Sequence, residues 1–524
     1  MFKRQRSFLS PLSTLFFAFG SSAVQLAMQR PSPEASSNGK SNLINSNNQR
    51  YSTNITIAGQ VVNVLIDTGS TDLWVAPPAG LPSFNDTGLS TTIRYGTGAN
   101  FVTGDIGVNQ FELDSQFTIP SQAFLFATSS AGEESDFSAG HFGIWGLGFN
   151  TPGSSQINDA VQHVHGTTDT SGQSVLANIF AQNASISDFI GISLSRTGDQ
   201  EGTADASLTI SEYDSDYEAV QNSPQIPQTP PNTRAWTILL DSLSVGGKKI
   251  DWPTTMPTVA PAGKNVVLLD TGTTNILMPE AQITAIYSSI PGAVLAPNSQ
   301  NIPLVQFSTT ADVWVVPCTA QVDIVASFGG QDFPIHPLDV SDMQVLSSPD
   351  GSQNYTVCTG AFTDIGTIGQ NETDALFGDS FLRNVYTVFD FGTGGSTQGP
   401  PFVQMLSNTD ATASAADLIN VRRQNMLSMP PEIAPIDLVK VFNGTEAAGV
   451  ASPVPIPRAT AASGATLSGR GSTLPPSTAT LSGGKTANRG SAISNTGNGN
   501  SGFSSRPSLI LCTAAVLITF SSLF

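Results

Sequence analysis

The stretch VLIDTGSTDLWV, residues 64–75, puts a carboxylate at the end of an apolar run. Val64, Leu65 and Ile66 read as a buried strand, and Asp67 sits at its tip. An ionised carboxylate beside a core is costly unless it is paired. Thr68, Gly69 and Ser70 then supply turn chemistry. The chain repeats the arrangement in NVVLLDTGTTNIL, residues 265–277, where Asp270 follows Val266, Val267, Leu268 and Leu269 and precedes Thr271, Gly272 and Thr273. One Asp-Thr-Gly occurs by chance. Two copies, each capping an apolar strand in a chain with only 12% charged residues, point to a paired device.

A second motif repeats in the same order. FGIWGLGF (residues 142–149) follows the first Asp strand and ALFGDSFL (375–382) the second, both apolar-apolar-Gly-x-x-apolar. Such repetition predicts two similar domains facing each other. From 51 to about 409, apolar runs alternate with Gly, Asn, Asp and Ser turns, the pattern of many short strands. Two pieces read as helices, SVLANIFAQ (174–182) and PEAQITAIYSS (279–289), the latter with Pro279 suited to a first turn. The Pro-rich NSPQIPQTPPNTR (222–234) reads as the connection between halves. SAADLINVRRQNMLSMPPE (414–432) reads as one amphipathic helix, and beyond 447 the Ser, Thr, Gly, Ala and Pro composition cannot bury a core.

Two carboxylates brought face to face cannot easily both ionise. They share a proton as one coupled unit. One can then act as general base on a water while the other, protonated, donates to a carbonyl oxygen. Gly69 and Gly272 permit close approach of the two loops. Thr68 and Thr271 can bond across to the opposite loop, and Ser70 and Thr273 can donate to the carboxylates from outside.

On these motifs the chain resembles a pepsin-family (A1) aspartic endopeptidase, and specifically the fungal glycolipid-anchored, yapsin-like members. The resemblance covers roughly residues 51–409. It implies an all-β, bilobal acid-protease fold with two similar six-stranded-barrel-like lobes and a cleft between them. It implies that Asp67 and Asp270 are catalytic, that no cofactor or metal is needed, and that the substrates are peptides or proteins. IRYGTGANFVTGDIG (93–107) is similar to the family's flap hairpin, which makes Tyr95, Gly96 and Thr97 flap residues. Trp74 matches the tryptophan whose indole N–H bonds that tyrosine, and Cys318 and Cys358 sit where the family places its C-lobe disulfide. FGDSFLRNVYTVFDF (377–391) is similar to the late signature. There are departures. APPAGLPSFNDTGLS (76–90) lacks the Cys pair of the family's small N-lobe loop, and the lead before 51 offers only Arg30, Lys40 and Arg50 as bases, with Arg50 a candidate processing point.

Both ends read as targeting signals. Lys3, Arg4 and Arg6 precede an apolar run over 8–19, with small residues suited to cleavage after Ala23. The alternative is a membrane anchor, against which Pro11 and the short run argue. The tail PSLILCTAAVLITFSSLF (507–524) is apolar to its last residue and follows a polar stretch, the order of a glycolipid (GPI) signal with attachment near Asn498. The alternative is a tail-anchored helix. The expected division is signal peptide 1–23, disordered lead or short propeptide 24–50, N-terminal lobe 51–228, C-terminal lobe 229–409, stalk 410–498 and removed GPI signal 499–524. With Cys512 in the removed tail, Cys318 and Cys358 are an even pair in an oxidising compartment, where a disulfide is the default. Sequons at Asn54, Asn85, Asn183, Asn354, Asn371 and Asn443 fit the same route. His163 and His165 read as part of a polar loop rather than a metal site. The net charge of −19 argues against nucleic acid as a partner. The expected protein is a monomeric endopeptidase acting at acidic pH, extracellular or held at the cell surface by a GPI anchor or in the wall. The alternative is an inactive binding or wall glycoprotein on the same fold.

Overall fold

The computed structural model describes residues 40–445 except 115, 184, 197–205, 297–311, 371 and 393–398. The expected signal peptide, the first part of the expected lead, the sequon at Asn371, most of the expected stalk and the expected GPI signal lie outside the described residues. All described residues belong to the first of the two units, 1–458 and 459–524, into which the chain divides.

Each half is built around the strand that ends in its Asp-Thr-Gly. In the first, Gln60–Asp67 is the third strand of an eight-stranded sheet and runs parallel to Gly143–Gly146, pairing Ile66 with Trp145 and Asp67 with Gly146. In the second, Asn265–Leu269 lies in another eight-stranded sheet, parallel to Ala375–Phe377, and pairs Leu269 with Phe377. The repeated motif pair is therefore one topology made twice: an apolar strand delivering Asp, docked on an apolar strand ending in Gly. Those glycines are required by space. A Cβ on Gly146 would lie 2.4 Å from the Thr71 carbonyl carbon, and one on Gly378 would lie 2.1 Å from the Thr273 carbonyl oxygen.

A six-stranded sheet joins the halves. Phe189–Ser193 from the first pairs with Val385–Asp390 from the second, flanked by Ser207–Ile210 and Phe402–Ser407. Above it Trp236, which follows the Pro-rich connection, packs on Phe149 at 4.2 Å between ring centroids and on Phe391 at 4.8 Å, and its indole donates to the Leu147 carbonyl. The fold is the mostly β, bilobal one. Helices appear at Val175–Gln182 and Glu280–Tyr287, as the two helical pieces of sequence predict, with Ser174 and Pro279 at their N-caps.

The second half has a further four-stranded sheet, in which Val313–Val316 pairs with Asn354–Gly360. There Cys318 and Cys358 form the disulfide, closing a loop of sequence separation 40.

Four expectations change. Residues 40–50 are not a disordered lead: Lys40–Asn42 adds an edge strand to the joining sheet, Ile44–Ser46 pairs with Arg50–Ile57, and Lys40 is ion-paired with Asp214 at 2.8 Å. Arg50, read as a processing point, is instead held in a strand and bonded to Asp136 and Thr274. At the other end the folded body continues past 409, through the helix Ala411–Met426 capped by Asp410 and the helix Pro435–Phe442. Leu438, Val441 and Phe442 bury against Val315, Leu346 and Val357, and the Glu432 carboxylate accepts from the Cys318 N–H at 2.7 Å. Each of these segments finds its apolar or charged partner only on the finished body. His163 and His165 end the helix Gln156–His165 rather than a loop, because Ser155 caps it and Ile157 and Val161 bury one face.

Candidate active site

The two Asp-Thr-Gly loops interlock. The Thr68 hydroxyl donates to the Leu269 carbonyl (2.9 Å) and accepts from the Thr271 N–H (3.0 Å). The Thr271 hydroxyl donates to the Ile66 carbonyl (3.1 Å) and accepts from the Thr68 N–H (3.0 Å). Both threonines are buried, so these four bonds tie the halves together away from competing water.

The carboxylates are held alike. Asp67 Oδ1 accepts from the Gly69 N–H at 2.8 Å and Oδ2 from the Ser70 hydroxyl. Asp270 Oδ1 accepts from the Gly272 N–H at 2.8 Å and Oδ2 from the Thr273 hydroxyl at 2.6 Å. Each glycine lies against the opposite carboxylate. A Cβ on Gly69 would fall 2.6 Å from Asp270 Oδ1, and one on Gly272 would fall 2.4 Å from Asp67 Oδ1. Burial, and then the facing charge of Asp270, push Asp67 well above the carboxylate range. Asp67 is thus set to hold a proton where an exposed carboxylate would have lost it.

The pair lies in a cleft cavity of about 410 Å³, also lined by Tyr95, Gly96, Arg50 and Glu133. Tyr95 ends the strand Asp86–Tyr95, which turns back into Asn100–Leu113 to form a hairpin beside the cleft. Gly96 and Gly98 take positive φ in that turn, as its reversal requires. The Trp74 indole N–H donates to the Tyr95 hydroxyl at 2.7 Å and anchors the hairpin to the sheet. Thr97 sits exposed at the tip and does not line the cavity.

Several groups near the site were not singled out from sequence as part of it. Asp72 lines the cleft and accepts from the Gln156 N–H at 3.0 Å and from the Ser155 hydroxyl, anchoring a helix start. Burial raises its pKa to about 6. Glu133 is raised to about 7, by burial and then by the charge of Asp136. Asp379 is fully buried, neither carboxyl oxygen has a partner among the described residues, and burial raises its pKa well above the ordinary value. One signal was available for Asp379: it follows the short apolar strand Ala375–Phe377 after Gly378, inside the repeated motif, and opens the helix Asp379–Leu382. Arg50 reaches across the cleft edge to Asp136 (3.2 Å) and Thr274, which no local pattern announces.

A bilobal β-fold with two interlocked Asp-Thr-Gly loops defines the class of pepsin-like aspartic endopeptidases. The sequence model of the eukaryotic aspartyl protease family matches residues 78–396, and the chain belongs to that family. The match begins after Asp67 and includes Asp270. The chain is 29% identical over 353 residues to an aspartic protease of Phaffia rhodozyma, a match covering 64% of this chain and 73% of that protein. It is 24% identical over 380 residues to an aspartic-type endopeptidase of Aspergillus fumigatus, covering 68% and 67%. It is 27% identical over 380 residues to penicillopepsin-1 of Penicillium janthinellum, covering 68% and 96%. The crystal structure of an aspartic proteinase from Irpex lacteus superposes with a TM-score of 0.50 at 19% identity, over 72% of this chain and 99% of that one, and shows the shared fold. The chain is an aspartic-type endopeptidase.

Proposed function

We propose that Asp67 and Asp270 are the catalytic pair of a secreted acid endopeptidase. The observation that carries this reading is the mutual approach of the two carboxylates, each with a glycine of the opposite loop against it. The two share one proton. The ionised member takes a proton from a water held between them, while the protonated member donates to the scissile carbonyl oxygen. Water adds to the carbonyl carbon; the carboxyl that took the proton of the water then gives it to the leaving nitrogen as the C–N bond breaks, while the other carboxylate takes back a hydroxyl proton of the tetrahedral intermediate, restoring the pair. Thr68, Gly69, Ser70, Thr271, Gly272 and Thr273 hold the carboxylate planes. Substrate binds extended in the cleft, pairing through its backbone, under a hairpin whose Tyr95, Gly96 and Thr97 are supported by Trp74. Burial and the facing Asp270 keep the shared proton on the pair.

The reading extends to placement. The lobes divide near residue 228, the signal at 1–23 directs secretion, and the C-terminal signal attaches a GPI lipid near Asn498 at the cell surface. Asn54, Asn85, Asn183, Asn354 and Asn443 are exposed, as glycan attachment requires. The test is expression of the chain and peptide cleavage assayed from about pH 3 to 7, with Asp67→Asn and Asp270→Asn beside wild type. Either substitution should abolish cleavage while the fold persists. Wild type inert on unstructured peptides across that range overturns the assignment. Release from cells by a phosphatidylinositol-cleaving lipase tests the anchor, and retention after efficient treatment overturns it.

A further inference from the structure

We infer that Glu133 is a specificity residue of the cleft and receives a lysine or arginine side chain of the substrate beside the hairpin. The inference rests on the catalytic reading above and names the substrates that such an enzyme favours.

Glu133 lies where the strand Phe117–Ala131 gives way to the helix Glu134–Ala139. The residue before it, Gly132, takes a φ of +87° and is pressed against the hairpin: a Cβ there would fall 2.4 Å from Asn100 Oδ1. That contact seats Glu133 in the cleft wall, 5% exposed. Its side chain does not cap the helix it precedes, and it accepts no hydrogen bond and makes no ion pair among the described residues. Unlike the oxygens of Asp379, those of Glu133 keep accessible surface, and the cavity the residue lines is the cleft. A carboxylate so placed is costly until a cation reaches it.

The arginines that line the cleft have acceptors of their own. Arg50 donates to Asp136 (3.2 Å), to the Gln49 carbonyl (3.0 Å) and to Thr274. Arg94, on the hairpin, donates to the Gly98 carbonyl (3.2 Å) and lies 5.4 Å from the Phe101 ring centroid. Arg234 donates to both oxygens of Glu372. Arg50 still acts on Glu133 through space and favours its charged form, but burial and the charge of Asp136 each outweigh it, and Glu134 adds to them. Tyr95 stays neutral, and Asp67 and Asp72 bring no cation to that wall. The surrounding charge is therefore more negative than positive. The apolar lining fits the rest of a basic side chain. Leu65, Ile93 and Ile144 border the same cavity and pack in one cluster with Tyr95. Apolar walls beside an unpaired carboxylate suit a methylene stem with a cationic head. An apolar side chain of the same length would leave Glu133 without a partner.

The test uses the full chain and a set of neutral peptides in which a single lysine, or norleucine in its place, is moved through the residues around the cleaved bond. At one position lysine should raise kcat/KM over norleucine by about tenfold or more, the scale of one charged hydrogen bond. Glu133→Gln should bring that ratio close to unity, and the ratio cancels any general loss of activity in the variant. In wild type the ratio should also climb from about pH 4 to about 7, because lysine stays charged while Glu133 ionises. The shared proton of Asp67 and Asp270 affects both peptides and drops out. The wild-type ratio and its pH trend carry the test even if the variant does not fold. Cleavage with lysine no better than norleucine at every position, or a lysine preference that survives in Glu133→Gln or stays flat with pH, overturns the inference and leaves the catalytic reading standing. Failure to cleave any peptide overturns both.

Discussion

The loop at Asp67 and the loop at Asp270 are nearly superimposable in their bonds and quite unlike in their surroundings. Each has a threonine gripping the other loop, a glycine N–H on the inner oxygen and a hydroxyl on the outer one. Around the first stand Trp74, Tyr95 and the buried Asp72. Around the second, Asn275 occupies the place of Asp72, and Asp379 is buried where the first half has the apolar Leu147. The difference teaches that the two carboxylates are held alike, while the groups packed around them, and so their desolvation and charge, are built unevenly.

The largest effect should be symmetric. Asp67→Asn and Asp270→Asn should each lower kcat by about a thousandfold or more, and the double variant should be little worse than either. If one single variant retained substantial turnover, the even division of chemistry would be wrong.

Next come the supports. Gly146→Ala and Gly378→Ala both drive a methyl into backbone and should each cost at least about 1–3 kcal/mol in urea unfolding. Cys318→Ser should cost about 2–5 kcal/mol, read by the same measurement, and has no equivalent in the first half among the described residues.

The pH dependence should expose the uneven tuning. Asp67, Asp72 and Glu133 all have raised pKa values in the folded state. The folded protein therefore binds more protons than the unfolded chain, and stability falls as pH rises from about 4 toward 8. Asp339 is lowered by Arg196 and Arg383, against the opposing pull of burial, so its contribution is lost below the unfolded carboxylate pKa near 4. Tm should accordingly peak on the acid side. Asp72→Asn should flatten the fall between about pH 4 and 6, an effect of up to roughly 3 kcal/mol. An unchanged slope in that variant would show that Asp72 does not tune the first half.

The smallest effect should be one-sided. Tyr95→Phe removes the bond from Trp74 and should lower kcat/KM by about threefold to tenfold, the scale of one hydrogen bond, with Tm nearly unchanged.

Much of the site was legible because its signals are local. An apolar run fixes a strand, and an Asp-Thr-Gly at its end fixes where the carboxylate and its turn must be. Repetition of that pattern implied the partner. The interlocking threonines joined residues already picked out by type and position, and the Trp74–Tyr95 bond and the disulfide joined residues the family resemblance had singled out. Asp72 and Glu133 were silent and Arg50 was read as a processing point, because nothing in their own neighbourhoods says what they touch. Lys40 looked like part of a loose lead until the distant Asp214 was beside it.

By itself the sequence determined the two strands, their turns and the need for two facing lobes. These follow from periodicity, turn chemistry and the cost of a lone carboxylate. Only the tertiary structure decided which acids are desolvated and that residues 40–50 and 411–442 belong to the folded body. Burial and long-range electrostatics depend on groups far apart in the chain, and their positions exist only once the halves have packed.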